Sequence, residues 1–303
     1  MKCWVLPAFF MGKSIILKKE SAVSEVVDDQ SIEQEMIHPH TYIHPNSKIA
    51  TNVKIDPFTV IHQNVEIGVG TWIGSNVTIM EGARIGKNCR IFPGAVVSAD
   101  PQDLKYDGEE TTVEIGDNTT IREFVTIHRG TRDRWKTRVG NNCMILAYSH
   151  IAHDCIIGNN CVLSNNSQVA GHVILGDWVI LGGMCAIHQF VRVGQHVFIG
   201  GGSLVGKDIP PYIKAGRHPL SYAGVNSVGL KRRGFTVEKI NHILDIYRIL
   251  YNKGMNTSQA LEFLEEEFPA TDERDEIVTF IRESSRGIIK RYSKSSLDED
   301  YAD

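Results

Sequence analysis

The chain has 303 residues, 42% of them apolar and 22% charged, and a formal net charge of −4. This length can bury one large core or two, and the composition is that of a folded protein, not a disordered one. The small net charge gives no global case for a nucleic-acid binder, and no apolar run approaches the ~20 residues of a membrane span.

Residues 1–35 begin "MKCWVLPAFFMGKSIILKK", where Pro7 and Lys13 interrupt the apolar stretch. No small-residue cleavage site follows, so the segment reads as neither a secretory signal nor a transit peptide. It carries no motif and is expected to be a loose extension or a non-native start. The six cysteines include no CxxC pair, which suits a reduced, cytoplasmic protein.

From Ile37 onward an aliphatic residue recurs at every sixth position: Ile43, Ile49, Ile55, Ile61, Ile67 and so on to Val205. Only Asp103, Glu109 and Asp133 break the series. The fourth residue after each aliphatic is small or β-branched, as at Thr59, Thr71 and Ser149, and the residue directly after the aliphatic is often glycine, as at Gly68, Gly86 and Gly158. Each hexapeptide reads as a short strand and a corner, with glycine supplying the unusual corner angles. Three such units close a triangular coil, and stacked coils bury their aliphatics against one another as a parallel β-helix of about nine coils. Cys89, Cys143, Cys155, Cys161 and Cys185 all fall at the small-residue position and are expected to be buried.

Two insertions leave the coil. "SADPQDLKYDGEETT" (98–112) is polar, and "RGTRDRWKT" (129–137) is basic. Inserted loops on a rigid scaffold often carry function. After Val205 the period ends in an irregular connector. A helix is expected from Thr236 as N-cap to Gly254, burying Val237, Ile240, Ile243, Leu244, Tyr247, Leu250 and Tyr251. A second has cap spacing at Asn256 and Gln259 and ends before Pro269; a third runs from Thr271 towards Arg291. The expected organisation is an extension (1–35), a β-helix domain (36–215), a connector with a helical domain (216–291), and an acidic, disordered tail (292–303).

His128, His150, His153, His172 and His188 fall on neighbouring coils, and none takes an aliphatic position. Residues about 18 apart stack, so several can line one groove. Imidazole suits a metal site or a general base. The spacing of three between His150 and His153 turns them in different directions, which favours the base. Asp154 could orient His153, and a glycine amide one coil on, such as Gly171, could donate to an oxyanion. A plain turn role for Asp154 stays open. Lys231, Arg232 and Arg233 precede the expected helix start, where the dipole attracts anions, so a bound diphosphate would make sense of them.

The series "DLKY", "VTIHRGT", "HIAHDC", "NN…AGH", "GGM.A.HQF" and "GLKRRGF", in this order, resembles the bacterial UDP-N-acetylglucosamine acyltransferases that begin lipid A synthesis. The resemblance spans about residues 36–290. It implies a left-handed coil, a homotrimer with sites between subunits, and transfer of a 3-hydroxyacyl group from acyl carrier protein, whose phosphopantetheine bears the acyl chain. No metal or other cofactor is implied. By position, His153 is the base at the sugar 3-hydroxyl, Asp154 its support, and the Gly171 amide the oxyanion donor. Asp103 and Lys105 contact the sugar and phosphate region; His128, His150, His172, His188 and Gln189 line the cleft. His218, Asn226, Arg232 and Arg233 bind the uridine diphosphate. Gly201 falls where the family closes its acyl groove, and glycine there favours a long chain. Val228 stands where the family commonly has glutamate.

Overall fold

The computed structural model describes residues 36–252 and 254–292. The 1–35 extension, and the tail from 293 onward, lie outside the described residues. Three mainly parallel sheets, of nine, eight and ten strands, form the faces of a triangular prism. Most strands are two residues long, such as His150–Ile151 and Ile156–Ile157, each followed by a turn. The sixth-position aliphatics from Ile55 to Val205 point inward and are at most 4% exposed. The in-register partners of Ile157 are Val139 below and Leu175 above, so the core is a continuous stack of aliphatic layers.

The corners correct one expectation. The glycines after the aliphatics do not carry positive φ; the residue two places later does, as at Asn76 (φ 57°), Asn88 (φ 52°) and Asn160 (φ 57°). Asparagine tolerates this left-handed conformation. The glycines are needed for close stacking: a Cβ on Gly68 would lie 2.6 Å from the carbonyl carbon of Gly86. Several side chains at the small position bridge successive coils. Thr59 Oγ1 donates to Gly74 O at 2.8 Å, and Cys143 Sγ to Gly158 O at 3.1 Å. The five described cysteines are buried, and burial pushes the Cys155 thiol up to about 12.

The insertions swell two coils without disturbing the stack. Ile85 pairs with Ile115 and Ile115 with Val139, so Asp103, Glu109 and Asp133 fall in excursions. The excursions tie to each other. Arg129 pairs with Asp100 and donates to Tyr106 Oη, and the Arg132 amide donates to Glu109 Oε1 at 2.9 Å.

The connector is more ordered than expected. Ile213–Gly216 pairs antiparallel with Ser221–Val225, and helix α1 spans Ser227–Arg232. Helix α2 spans Val237–Asn252, α3 Thr257–Glu266 and α4 Asp272–Arg282. Val237 is exposed, while Ile246 and Ile249 are buried beside Ile240, Ile243 and Tyr247, which rotates the inner face of α2 from the expected one. Asn256 and Gln259 form the reciprocal cap of α3. Helix α4 ends well short of Arg291. Gly287 has φ 70°, and the chain returns in extended form to the end of the prism. There the Ile289 amide donates to Asp208 O and the Tyr222 amide to Lys290 O, satisfying edge groups that a longer helix would leave open. No described helix is long and apolar enough to cross a membrane.

Candidate active site

His150 lies in an interior strand of the nine-stranded sheet, paired on both sides, and His153 in the corner after it. They do turn apart: His150 meets His128 edge-on at 4.7 Å, and His153 meets His172 edge-on at 5.0 Å. Thr126 Oγ1 lies 2.7 Å from His150 Nδ1. Burial, with His150 and His153 nearby, pushes His128 down to about 4; burial and then His153 lower His150. Two largely buried imidazoles, both with a lowered pKa, thus lie near His153.

His153 Nδ1 lies 2.8 Å from Asp154 Oδ2. Asp154 is a turn residue as well as a support: its φ is 59° and its side chain is fully buried. The second excursion wraps this carboxylate. Thr131 donates its amide to both oxygens, at 3.0 and 3.2 Å, and its hydroxyl to Oδ2 at 2.7 Å. The Arg134 amide reaches Oδ1 at 3.2 Å, and its guanidinium donates to the Asp154 carbonyl at 2.8 Å. Burial alone would raise the Asp154 carboxyl, but the hydrogen bonds from His153 and Thr131 hold it below the usual carboxylate range.

The other edge of the His153 ring faces Gly171, one coil on. A Cβ at Gly171 would sit 2.7 Å from both Cε1 and Nε2. Among the described residues, no hydrogen bond uses the Gly171 amide, while the Gly171 carbonyl accepts from the Phe190 amide at 3.1 Å. His172 stacks on Phe190 at 4.5 Å, and its Nδ1 lies 3.0 Å from Asp133 Oδ2, an ion-pair distance off the line of a hydrogen bond. Among the residues implicated from sequence, His128, His150, His153, Asp154, Gly171 and His172 form one cluster. His188 and Gln189 are exposed in the turn that carries Phe190.

The remaining residues lie apart in the single chain. Lys105 is exposed on the first excursion, and Asp103 accepts from its amide at 3.0 Å. Gly201 and His218 are exposed. Among the described residues, no hydrogen bond or ring contact joins His218, Asn226, Arg232 or Arg233 to His153. Asn226 is buried as the N-cap of α1, its side-chain amide donating to His196 O at 2.9 Å. Arg233 lies over the Trp178 ring at 5.0 Å and meets His196 Nδ1 at 3.3 Å. The basic run precedes α2 as expected, but Lys231 and Arg232 also occupy the last turn of α1, where the helix dipole favours cations without any bound anion.

Sequence reading missed Thr131, Asp133 and Arg134. The broken period marked their loop, but nothing local says that it folds onto Asp154. It also left a metal open, and His153, Asp154 and His172 do present ligand atoms within 4.8 Å of one another. The two oxygens of Asp154 are already occupied by Thr131, Arg134 and His153, however, which leaves two imidazoles where catalytic zinc takes about three protein ligands. The donor set fits a hydrogen-bonded base better.

Comparison with known proteins follows the same lines. Residues 208–289 match the family model described as UDP-N-acetylglucosamine O-acyltransferase, domain 2, and residues 64–99 and 136–171 match bacterial transferase hexapeptide repeats. The acyl-[acyl-carrier-protein]–UDP-N-acetylglucosamine O-acyltransferase of Sulfurihydrogenibium sp. (strain YO3AOP1) is 57% identical over 262 residues, covering 86% of this chain and 97% of that protein. Its counterpart from Aquifex aeolicus is 59% identical over 199 residues, covering 65% and 76%. The UDP-N-acetylglucosamine acyltransferase structure from Bacteroides fragilis 9343 superposes with a TM-score of 0.82 at 51% identity, covering 84% of this chain and all of that one. The Francisella novicida enzyme gives 0.83 at 43%, covering 88% and 99%. The coil shares their left hand. This chain, with its hexapeptide prism and helical C-terminal domain, belongs to the UDP-N-acetylglucosamine O-acyltransferase family.

Proposed function

We propose that the protein transfers a 3-hydroxyacyl group from acyl carrier protein to the 3-hydroxyl of UDP-N-acetylglucosamine, the first step of lipid A synthesis, with His153 as general base. The observation that carries the mechanism is the His153 Nδ1–Asp154 Oδ2 contact at 2.8 Å with Gly171 against the opposite ring edge. Asp154 holds the Nδ1 proton, so Nε2 presents its lone pair to the cleft. Nε2 takes the proton of the sugar hydroxyl as its oxygen attacks the thioester carbonyl. The Gly171 amide donates to the oxyanion of the adduct. The C–S bond then breaks, and the proton on Nε2 passes to the departing phosphopantetheine thiolate.

The nucleotide end is assigned to His218, Asn226, Arg232 and Arg233, the sugar to Asp103 and Lys105, and the cleft to His128, His150, His172, His188 and Gln189. That His218, Asn226, Arg232 and Arg233 make no hydrogen bond or ring contact with His153 among the described residues is compatible with a homotrimer in which neighbouring subunits complete the site. Exposed Phe124, Tyr148, Met184, Phe190 and Leu204 supply apolar surface for such contacts. The acyl chain runs past exposed Gly201, and the setting is cytoplasmic. Mass spectrometry of products from UDP-N-acetylglucosamine and a mixed set of 3-hydroxyacyl carrier proteins tests the reading. An O-acylated nucleotide sugar is expected, and its absence with active, folded protein rejects it.

A further inference from the structure

We infer that Thr131 is a positioning residue for His153, acting through Asp154; the inference rests on reading His153 as the base. Asp154 has two jobs that conflict. It must stay charged while fully buried, and it must hold one orientation so that the imidazole does too. Burying a carboxylate without partners is severely unfavourable. Its terminal torsion is also broad, so a contact to His153 alone would let the carboxylate plane swing and carry the ring with it.

Thr131 answers both demands. Its amide bridges the two oxygens at 3.0 and 3.2 Å, which fixes the plane, and its hydroxyl meets Oδ2 at 2.7 Å, the same oxygen that faces His153 Nδ1. Arg134 completes the clamp, its amide on Oδ1 and its guanidinium on the Asp154 carbonyl. All of these donors come from the excursion that breaks the hexapeptide period at Asp133. The plain coil does not need that excursion: Ile115 and Val139 pair as any two neighbouring aliphatics do. The insertion therefore reaches over the turn to grip the buried aspartate that touches His153.

The test compares acyl transfer by the parent with Thr131→Val, Thr131→Ser, Asp154→Asn, the Val/Asn double variant and His153→Ala. Valine removes the hydroxyl and keeps the volume and the backbone amide. It should lower kcat roughly tenfold, the scale of one hydrogen bond to a charged group, with KM for the nucleotide sugar changed by less than about twofold. Serine should restore kcat to within about threefold of the parent. In the Asp154→Asn background, Thr131→Val should add little, because two residues acting in one chain of contacts are not additive. If the valine variant does not fold, Thr131→Ala carries the same comparisons. Parent-like kcat in Thr131→Val, a serine variant as slow as valine, or losses that multiply in the double variant each overturn the inference. A crippled His153→Ala beside a normal Thr131→Val overturns this inference alone, whereas a normal His153→Ala overturns the base reading itself.

Discussion

Gly171 and His153 sit so close that a single carbon added to Gly171 would lie 2.7 Å from His153 Nε2. No real Cβ tolerates that contact, so the ring must move or the coil must part. Gly171→Ala should therefore lose at least about tenfold in kcat as Nε2 leaves its place, with a smaller loss of stability, since the partly buried ring lies outside the stack of aliphatic layers. Turnover and melting temperature measured together check this. Unchanged turnover would mean that the ring has freedom the contact denies.

His153→Ala removes the base without touching the core. It should lose at least about a hundredfold in turnover, the typical contribution of a positioned base, while still binding UDP-N-acetylglucosamine. EDTA should leave the parent's rate unchanged. Loss on chelation with recovery on adding zinc would instead assign the His153, Asp154 and His172 cluster to a metal.

Arg232 and Arg233 should separate. Arg232 is exposed, so Arg232→Ala should weaken nucleotide-sugar binding by roughly 1.5–3 kcal/mol with the melting temperature unmoved. Arg233→Ala should lower both, because Arg233 also covers Trp178 and meets His196, contacts on the scale of about 1 kcal/mol. Calorimetric titration and thermal unfolding of both variants check the split. Equal affinity in Arg232→Ala and parent would remove Arg232 from the site.

Stability should fall on mild acidification. His128 and His196 are held at about 4 in the folded protein, chiefly by burial, against ~6.5 in an unfolded chain. As pH drops below ~6.5 the unfolded chain gains protons that the folded one refuses, so each group subtracts up to about 1.4 kcal/mol per pH unit until about 4 and nothing further below. Melting temperature should decline across that window, and the decline should be shallower in His128→Asn. Parallel curves for variant and parent would show that His128 is not held neutral by the fold.

Gly201→Met should shift product chain length downward. Gly201 is exposed, but a Cβ there would already lie 3.1 Å from Gly183 O, so a long side chain must extend outward over the surface that the acyl chain is proposed to use. Product profiling against mixed acyl donors checks this. An unchanged profile would place the length limit elsewhere.

The coil and the histidine cluster were legible in the chain because both depend on local period. An aliphatic at every sixth residue dictates which side chains face inward, and the same period stacks His153 beneath Gly171. The small-residue cysteines and the α3 cap were readable for the same reason. The glycine role was misread, since close approach between coils is a contact between residues about 18 apart and leaves no sign in a single hexapeptide. The α4 boundary was misread too, because it depends on edge groups at Asp208 and Tyr222, far away in sequence.

By itself, then, the sequence determined the repeating strand-and-corner unit, the inward aliphatics and the residues able to meet at the cleft, because each follows from spacing along one chain. Only the tertiary structure decided that Asp154 is both a corner residue and the partner of His153, and that Thr131 and Arg134 hold it. It likewise decided that Lys231 and Arg232, besides preceding the helix that starts at Val237, close a short helix of their own. Hydrogen bonds from an aperiodic loop depend on where that loop lands, and a broken period marks only where it leaves.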